Sequence, residues 1–143
     1  MSTFFFETDA PELCPIAFDG SADVLVHFIS FAFAARYGSQ HELTKLALLL
    51  RLERKIDFEP LTTFAGREIE VEADAIELER VWQDAAPLAE TLRRVVEALA
   101  APDERIATLT ADAPDLGARL RDLHRMAAWA AERGARVRMT FDL

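Results

Sequence analysis

The hydrophobic positions of this chain change their period several times, and each change marks an element. Between Val24 and Ala35 only His27 and Ser30 interrupt an apolar run. The ends of that run decide its conformation. Ser21 can cap a first turn, Arg36 stands where the helix dipole favours a cation, and Gly38 supplies the left-handed residue that often stops a helix. The pattern predicts a helix over residues 22–37, apolar nearly all round and so buried on most sides, with His27, Ser30, Ala34 and Tyr37 on one narrow stripe. It is much shorter than the ~20 apolar residues a bilayer-spanning helix needs. The run therefore reads as a central core helix.

Ser39 and Glu42 have the spacing of a capping box, and a second helix over about 40–54 follows with Leu43, Leu46, Ala47 and Leu50 on one face. Asp74 and Glu77 repeat that spacing, after which Leu78, Val81, Trp82, Ala85, Ala89, Leu92, Val96 and Leu99 hold helical period to Ala101. On this reading Trp82 belongs to the core stripe. Pro87 either kinks one long helix or opens another, because its ring and missing amide disrupt the preceding turn. A short turn near Pro102–Thr108 precedes a last helix from Asp112 and Pro114 to Arg133, stopped by Gly134, with Leu116, Leu120, Leu123, Ala127 and Ala130 as its core stripe.

Alternation with period two appears in three places. Val137, Met139, Phe141 and Leu143 alternate with Arg136, Arg138, Thr140 and Asp142; Ile69 and Val71 alternate with Glu68, Glu70 and Glu72. Opposite charges predict that these two strands are neighbours, with the glutamates facing Arg136 and Arg138. Thr3–Glu7 carries Phe4, Phe5 and Phe6 in succession, so both faces of a strand there are apolar and need cover, from a central place in the sheet or from a second subunit. Leu13–Phe18 reads as a further short strand held to an edge by Pro15. The expected fold is α+β: a single domain over 1–143 in which four or five helices pack on one face of a small, mostly antiparallel sheet of N-terminal, middle and C-terminal strands.

Composition narrows the function classes. A chain of 143 residues buries enough surface to fold without disulfides or metals. The lone Cys14 cannot form an intrachain bridge, and with an N-terminus that lacks a basic, then apolar, leader this places the expected protein in a reducing cytoplasm. Formal charge is −9, a field that repels phosphate backbones and argues against nucleic acid as a partner. Lysine occurs only at Lys45 and Lys55 amid abundant arginine and alanine, the usage of a GC-rich bacterial genome.

Candidate chemistry is sparse. His27, Ser30 and Tyr37 share a helix face, and a histidine beside a hydroxyl is the start of a nucleophile–base pair, but no motif supplies the orienting acid or oxyanion site. With His124 they form the candidate ligand-binding set. His27, His41 and His124 lack metal-ligand spacing, no paired cysteines occur, and neither glycine-rich phosphate motif is present, so neither metal nor cofactor is expected. The stretch EIEVEADAIELE reads as a solvated acidic face or a surface for a basic partner. On the last helix Trp129 falls among Arg125, Glu132 and Arg133, away from the leucines, which is the composition of an interface anchor or of a ring covered within the chain.

These features point first to a non-enzymatic protein that acts by association, as a homodimer or an accessory, regulatory or inhibitory subunit, through Phe4, Phe5, Phe6, Arg125, Trp129 and Arg133. The alternatives are a small enzyme or ligand-binding domain with a pocket lined by His27, Ser30 and Tyr37, and an acidic immunity-type protein that binds a basic partner.

Overall fold

A computed structural model describes residues 3–34 and 41–142. The elements run β1 (Thr3–Thr8), α1 (Asp23–Ala34), α2 (Glu42–Leu52), β2 (Ala65–Gly66), α3 (Glu72–Arg80), β3 (Gln83–Asp84), α4 (Ala85–Ala100), α5 (Glu104–Thr110), α6 (Leu116–Glu132) and β4 (Arg136–Asp142). The fold is α+β, as the patterning predicts, with six helices among the described residues.

β4 organises the sheet. β1 pairs antiparallel along one of its edges, from Thr3 opposite Asp142 to Thr8 opposite Val137. The other edge is divided: β2 pairs parallel at Thr140 and Phe141, and β3 pairs antiparallel at Arg136 and Val137. The sheet is therefore mixed, with two of its three pairings antiparallel, in keeping with the mostly antiparallel sheet expected.

The middle strand is the main correction. Residues 68–71 form no strand, and Glu72 already begins α3. The register gives the reason. β2 runs toward the C-terminal end of β4, Gly66 lies opposite Phe141, and the Arg67 amide donates to the Phe141 carbonyl at 2.9 Å. The alternating Glu-Ile-Glu-Val segment thus lies beyond Asp142, and among the described residues it pairs with no strand. The expected pairing of Glu68, Glu70 and Glu72 with Arg136 and Arg138 is not formed; Arg138 meets Glu7 of β1 at 2.9 Å instead.

α1 is the core helix foreseen. Leu25, Phe28, Ile29 and Ala32 have no exposed surface, and burying side chains of the larger types contributes ~1.5–3 kcal/mol each. The Ser21 hydroxyl accepts from the Asp23 amide, and Arg51 of α2 donates to the Ala32 carbonyl, supplying a cation near the C-terminal end. Arg36, Tyr37, Gly38 and Ser39, invoked for the helix end and the capping box, lie outside the described residues. α2 starts on His41, whose Nδ1 accepts from the Leu43 amide at 3.1 Å.

Pro87 falls in the first turn of α4, so the long period divides into α3 and α4. Asp74 is not the cap of α3 but its third residue, reaching back to accept from the Glu70 and Val71 amides. Trp82 belongs to no helix: it lies between α3 and β3 beneath the Arg138 guanidinium, 4.7 Å from the ring centre. Residues 13–18 form no strand either. Cys14, Ile16 and Phe18 pack inward while Leu13, Pro15 and Ala17 face out, but Pro11 and Pro15 have no amide to donate.

The helices cover one face of the sheet, where Phe4, Val137, Met139 and Phe141 join the core. A buried pair on α6 closes the other side of that core. Arg119 donates to the Asp19 carbonyl and Asp122 accepts from the Asp19 amide, which ties the segment before α1 to α6. Arg119 Nε lies 3.3 Å from Asp122 Oδ2 without hydrogen-bond alignment, so that contact acts as charge. Gly20 has a backbone reason to be glycine, its φ of +124°, and it lies against the Arg119 guanidinium. Among the described residues no helix is long and apolar enough to cross a membrane.

Candidate docking surfaces

The phenylalanine strand is covered by its own chain. Phe4 is buried between Phe18 and Phe141, and Phe6 packs against the same core. Phe5 points to the opposite face, where the Arg67 guanidinium lies 4.0 Å above its ring. Arg67 also donates to Glu7 and to the Thr140 hydroxyl, and Arg138 donates to Glu7 from across the ladder. The hydrogen bond from Arg138, with its charge and that of Arg67, holds the Glu7 carboxyl below its usual range against the opposing effect of burial. β1 lies at an edge of the sheet rather than centrally, and around Phe5 its second face carries Arg67, Glu7, Arg138 and Trp82.

Trp129 is likewise covered. It is 9% exposed, the Arg133 guanidinium lies 4.0 Å above the indole, and Arg133 is itself held by Glu12 at 2.7 Å. The second of the two expectations for this ring, covering within the chain, is the one realised. Arg125 stays exposed.

The histidine stripe is split. His27 is exposed and lines a cavity of about 370 Å³ with His41, Asp23, Glu42, Leu43 and Asp112. Ser30 is half-buried and is not part of that lining. Tyr37 lies outside the described residues. His124 faces α4 instead, where burial and then the Arg93 charge push its pKa below the usual imidazole value. The structure therefore brings His27 to His41, a residue read only as a surface cap, and not to His124. Among the described residues no group of three His, Cys, Asp or Glu side chains is placed to hold a metal ion.

Two surfaces have the clearest geometry, one that the pattern did not single out and one within the acidic stretch that it did. The first is a trench of about 590 Å³ between α2 and α5. Leu48, Leu49 and Leu52 line it from α2 and Leu109 from α5, and Leu52 is 65% exposed. Glu53 and Arg105 join across the two helices as a bidentate ion pair, and Asp103, which caps α5 through the Ile106 amide, lies 3.3 Å from Arg54. Leu109 also lines the histidine cavity, so the trench and that cavity, bordered by Asp23, Glu42 and Asp112, adjoin at this residue. The signal for it was a surplus: Leu48 and Leu52 fall outside the Leu43, Leu46, Ala47, Leu50 core stripe, while Leu49 beside them is buried.

The second is α3, none of whose residues is buried. It follows the exposed segment bearing Ile69 and Val71 and presents Ile76 to solvent.

Cys14 is half-buried, and its thiol donates weakly to the Ile16 carbonyl at 3.7 Å. Compared with known proteins, the chain matches no family model, no curated protein and no solved structure.

Proposed function

We propose that the protein acts by association, as an accessory, regulatory or inhibitory subunit that holds an amphipathic helix of a partner protein in the trench between α2 and α5. The observation that carries this reading is the leucine-lined trench itself. Apolar surface left in water costs ~25 cal/mol per Å², and a concave leucine floor flanked by charged residues is the form that receives an apolar helix face. Lys45 and Glu104 stand beside the braced Glu53–Arg105 pair, so the surround is polar while the floor is not.

Charge identifies the occupant further. Beyond Leu109 the space is bordered by three carboxylates and two histidines, which suits a lysine or arginine of the partner placed past its apolar stripe. A second copy of this chain is a poorer occupant, because each copy carries a formal charge of −9. The unpaired Cys14 is in keeping with a reducing compartment.

A photo-crosslinking residue placed at Leu52 in the native host tests the reading. The expected adduct is a different protein, and with that protein purified, Leu52→Asp weakens calorimetric binding by about tenfold or more, ~1.4 kcal/mol, while the unfolding midpoint holds. An adduct with a second copy, no adduct at all, or a purified partner that binds Leu52→Asp as well as the native chain would overturn it.

A further inference from the structure

The excursion from Arg67 to Arg80 is built unlike the rest of the molecule. α3 has nine residues and buries none of them, and a helix this short is marginal in water without a packed face. Its local supports are few. Asp74, the third residue of the helix, reaches back to accept from the Glu70 and Val71 amides, and Arg138 donates to the Leu78 carbonyl at 3.3 Å near Glu79.

Its surface combines two unusual features. Ile69, Val71 and Ile76 are 58%, 60% and 47% exposed, three of the six large apolar side chains so exposed among the described residues. Around them stand Glu68, Glu70, Glu72, Asp74, Glu77 and Glu79 against Arg67 and Arg80, six carboxylates less two guanidiniums, or a formal −4 within a chain total of −9. Arg67 is already engaged with Glu7 and Phe5. Along α3 itself Glu72, Ile76 and Glu79 fall four and three residues apart, so one stripe carries an apolar centre with a carboxylate on each side, and with Ala75 and Arg80 they line a shallow depression.

We infer that this excursion is a docking surface for a cationic amphipathic segment of a partner protein, whose aliphatic side chains cover Ile69, Val71 and Ile76 while its lysines or arginines meet Glu72 and Glu79. The inference stands on charge and exposure at α3 and does not depend on the trench. Charge decides the occupant. A second copy would set −4 against −4, and nucleic acid or an anionic membrane would meet the same repulsion. A basic partner gains steering from the carboxylates and residence from the aliphatic contacts, and its arrival gives α3 the packed face it lacks.

The probe is a labelled helical peptide of leucine and lysine, about 18 residues long so as to span the excursion, titrated into the full chain with amide chemical shifts and anisotropy as readouts. At about 50 mM salt, where exposed charges act over more than a helix width, the shifts should centre on residues 67–80 and affinity should fall at least about tenfold on moving to about 500 mM. Ile69→Ser with Ile76→Ser, and separately Glu72→Gln with Glu79→Gln, should each weaken binding at least about fivefold, whereas Leu52→Ser in the trench should change it less than about twofold. Because α3 buries nothing, neither pair of substitutions threatens the fold, and thermal unfolding checks this. Shifts centred elsewhere, both α3 variants binding as the native chain does, or a dimer of this chain abolished by the α3 variants would overturn the inference.

Discussion

The Glu53 carboxylate of α2 accepts two hydrogen bonds from the Arg105 guanidinium of α5, at 2.7 and 2.9 Å, and so fastens together the two walls of the trench. Both side chains are at least half exposed, so water and salt screen the pair and it adds little to global stability. Its effect is local, because α5 buries only Ile106.

Arg105→Ala is therefore expected to leave the urea midpoint nearly unchanged while speeding hydrogen exchange of the α5 amides by about threefold or more, with α6 amides unaffected. Amide exchange followed by NMR checks it. Equal effects on α5 and α6 would mean that the pair acts on the whole fold.

Glu7 links pH to stability. Its pKa is lowered in the folded chain, so its contribution is present above the unfolded value and is lost as pH falls through the folded value. Glu7→Gln should cost roughly 1 kcal/mol near neutral pH, a figure already reduced for partial exposure, and the difference from the native chain should vanish as pH falls from neutral through the folded value. Urea unfolding of both proteins across that range measures it.

His124 works in the same direction from a different cause. Burial lowers its pKa, so the folded chain favours the neutral ring and loses stability as pH falls below the ordinary imidazole value toward the folded one. An NMR titration of its ring protons should give a midpoint below that of a histidine in a peptide, and His124→Gln should flatten stability over the same interval.

Breaking the Arg119–Asp122 pair is expected to be severe. Asp122→Asn strands a buried guanidinium and should cost about 3 kcal/mol or more, whereas replacing both residues with Met and Leu should recover a large part of that loss. A double-mutant cycle in urea separates the two outcomes; additive losses would deny the coupling.

The two faces of β1 should respond unequally. Phe4→Ala opens a cavity between Phe18 and Phe141 and should cost about 3–5 kcal/mol. Phe5→Ala removes a ring that packs beneath one guanidinium and should cost about 1 kcal/mol. If Phe5→Ala instead dissociated a dimer in sedimentation, the cover supplied by Arg67 would be insufficient.

Local pattern determined a good deal of this protein. The period of 3.6 in residues 43–50 and 116–130 and the alternation at 136–142 name α2, α6 and β4, because an element that buries one face must repeat at its own pitch, whereas α1, apolar nearly all round, was named by its end signals. The α+β class follows from their order. Tertiary structure decided what those periods do not encode, namely which edge a strand meets and where that edge stops. Residues 68–71 alternate as a strand should, yet among the described residues no strand pairs with them, and Ile69 and Val71 are exposed. Phe5 and Trp129 each had two readings in sequence terms, cover by a second subunit or cover within the chain; Arg133, four residues along the same helix, and Arg67, distant in sequence, lie over their rings. The trench depends on α5 lying beside α2, and His27 meets His41 rather than His124 because helix packing, not residue type, sets which faces converge.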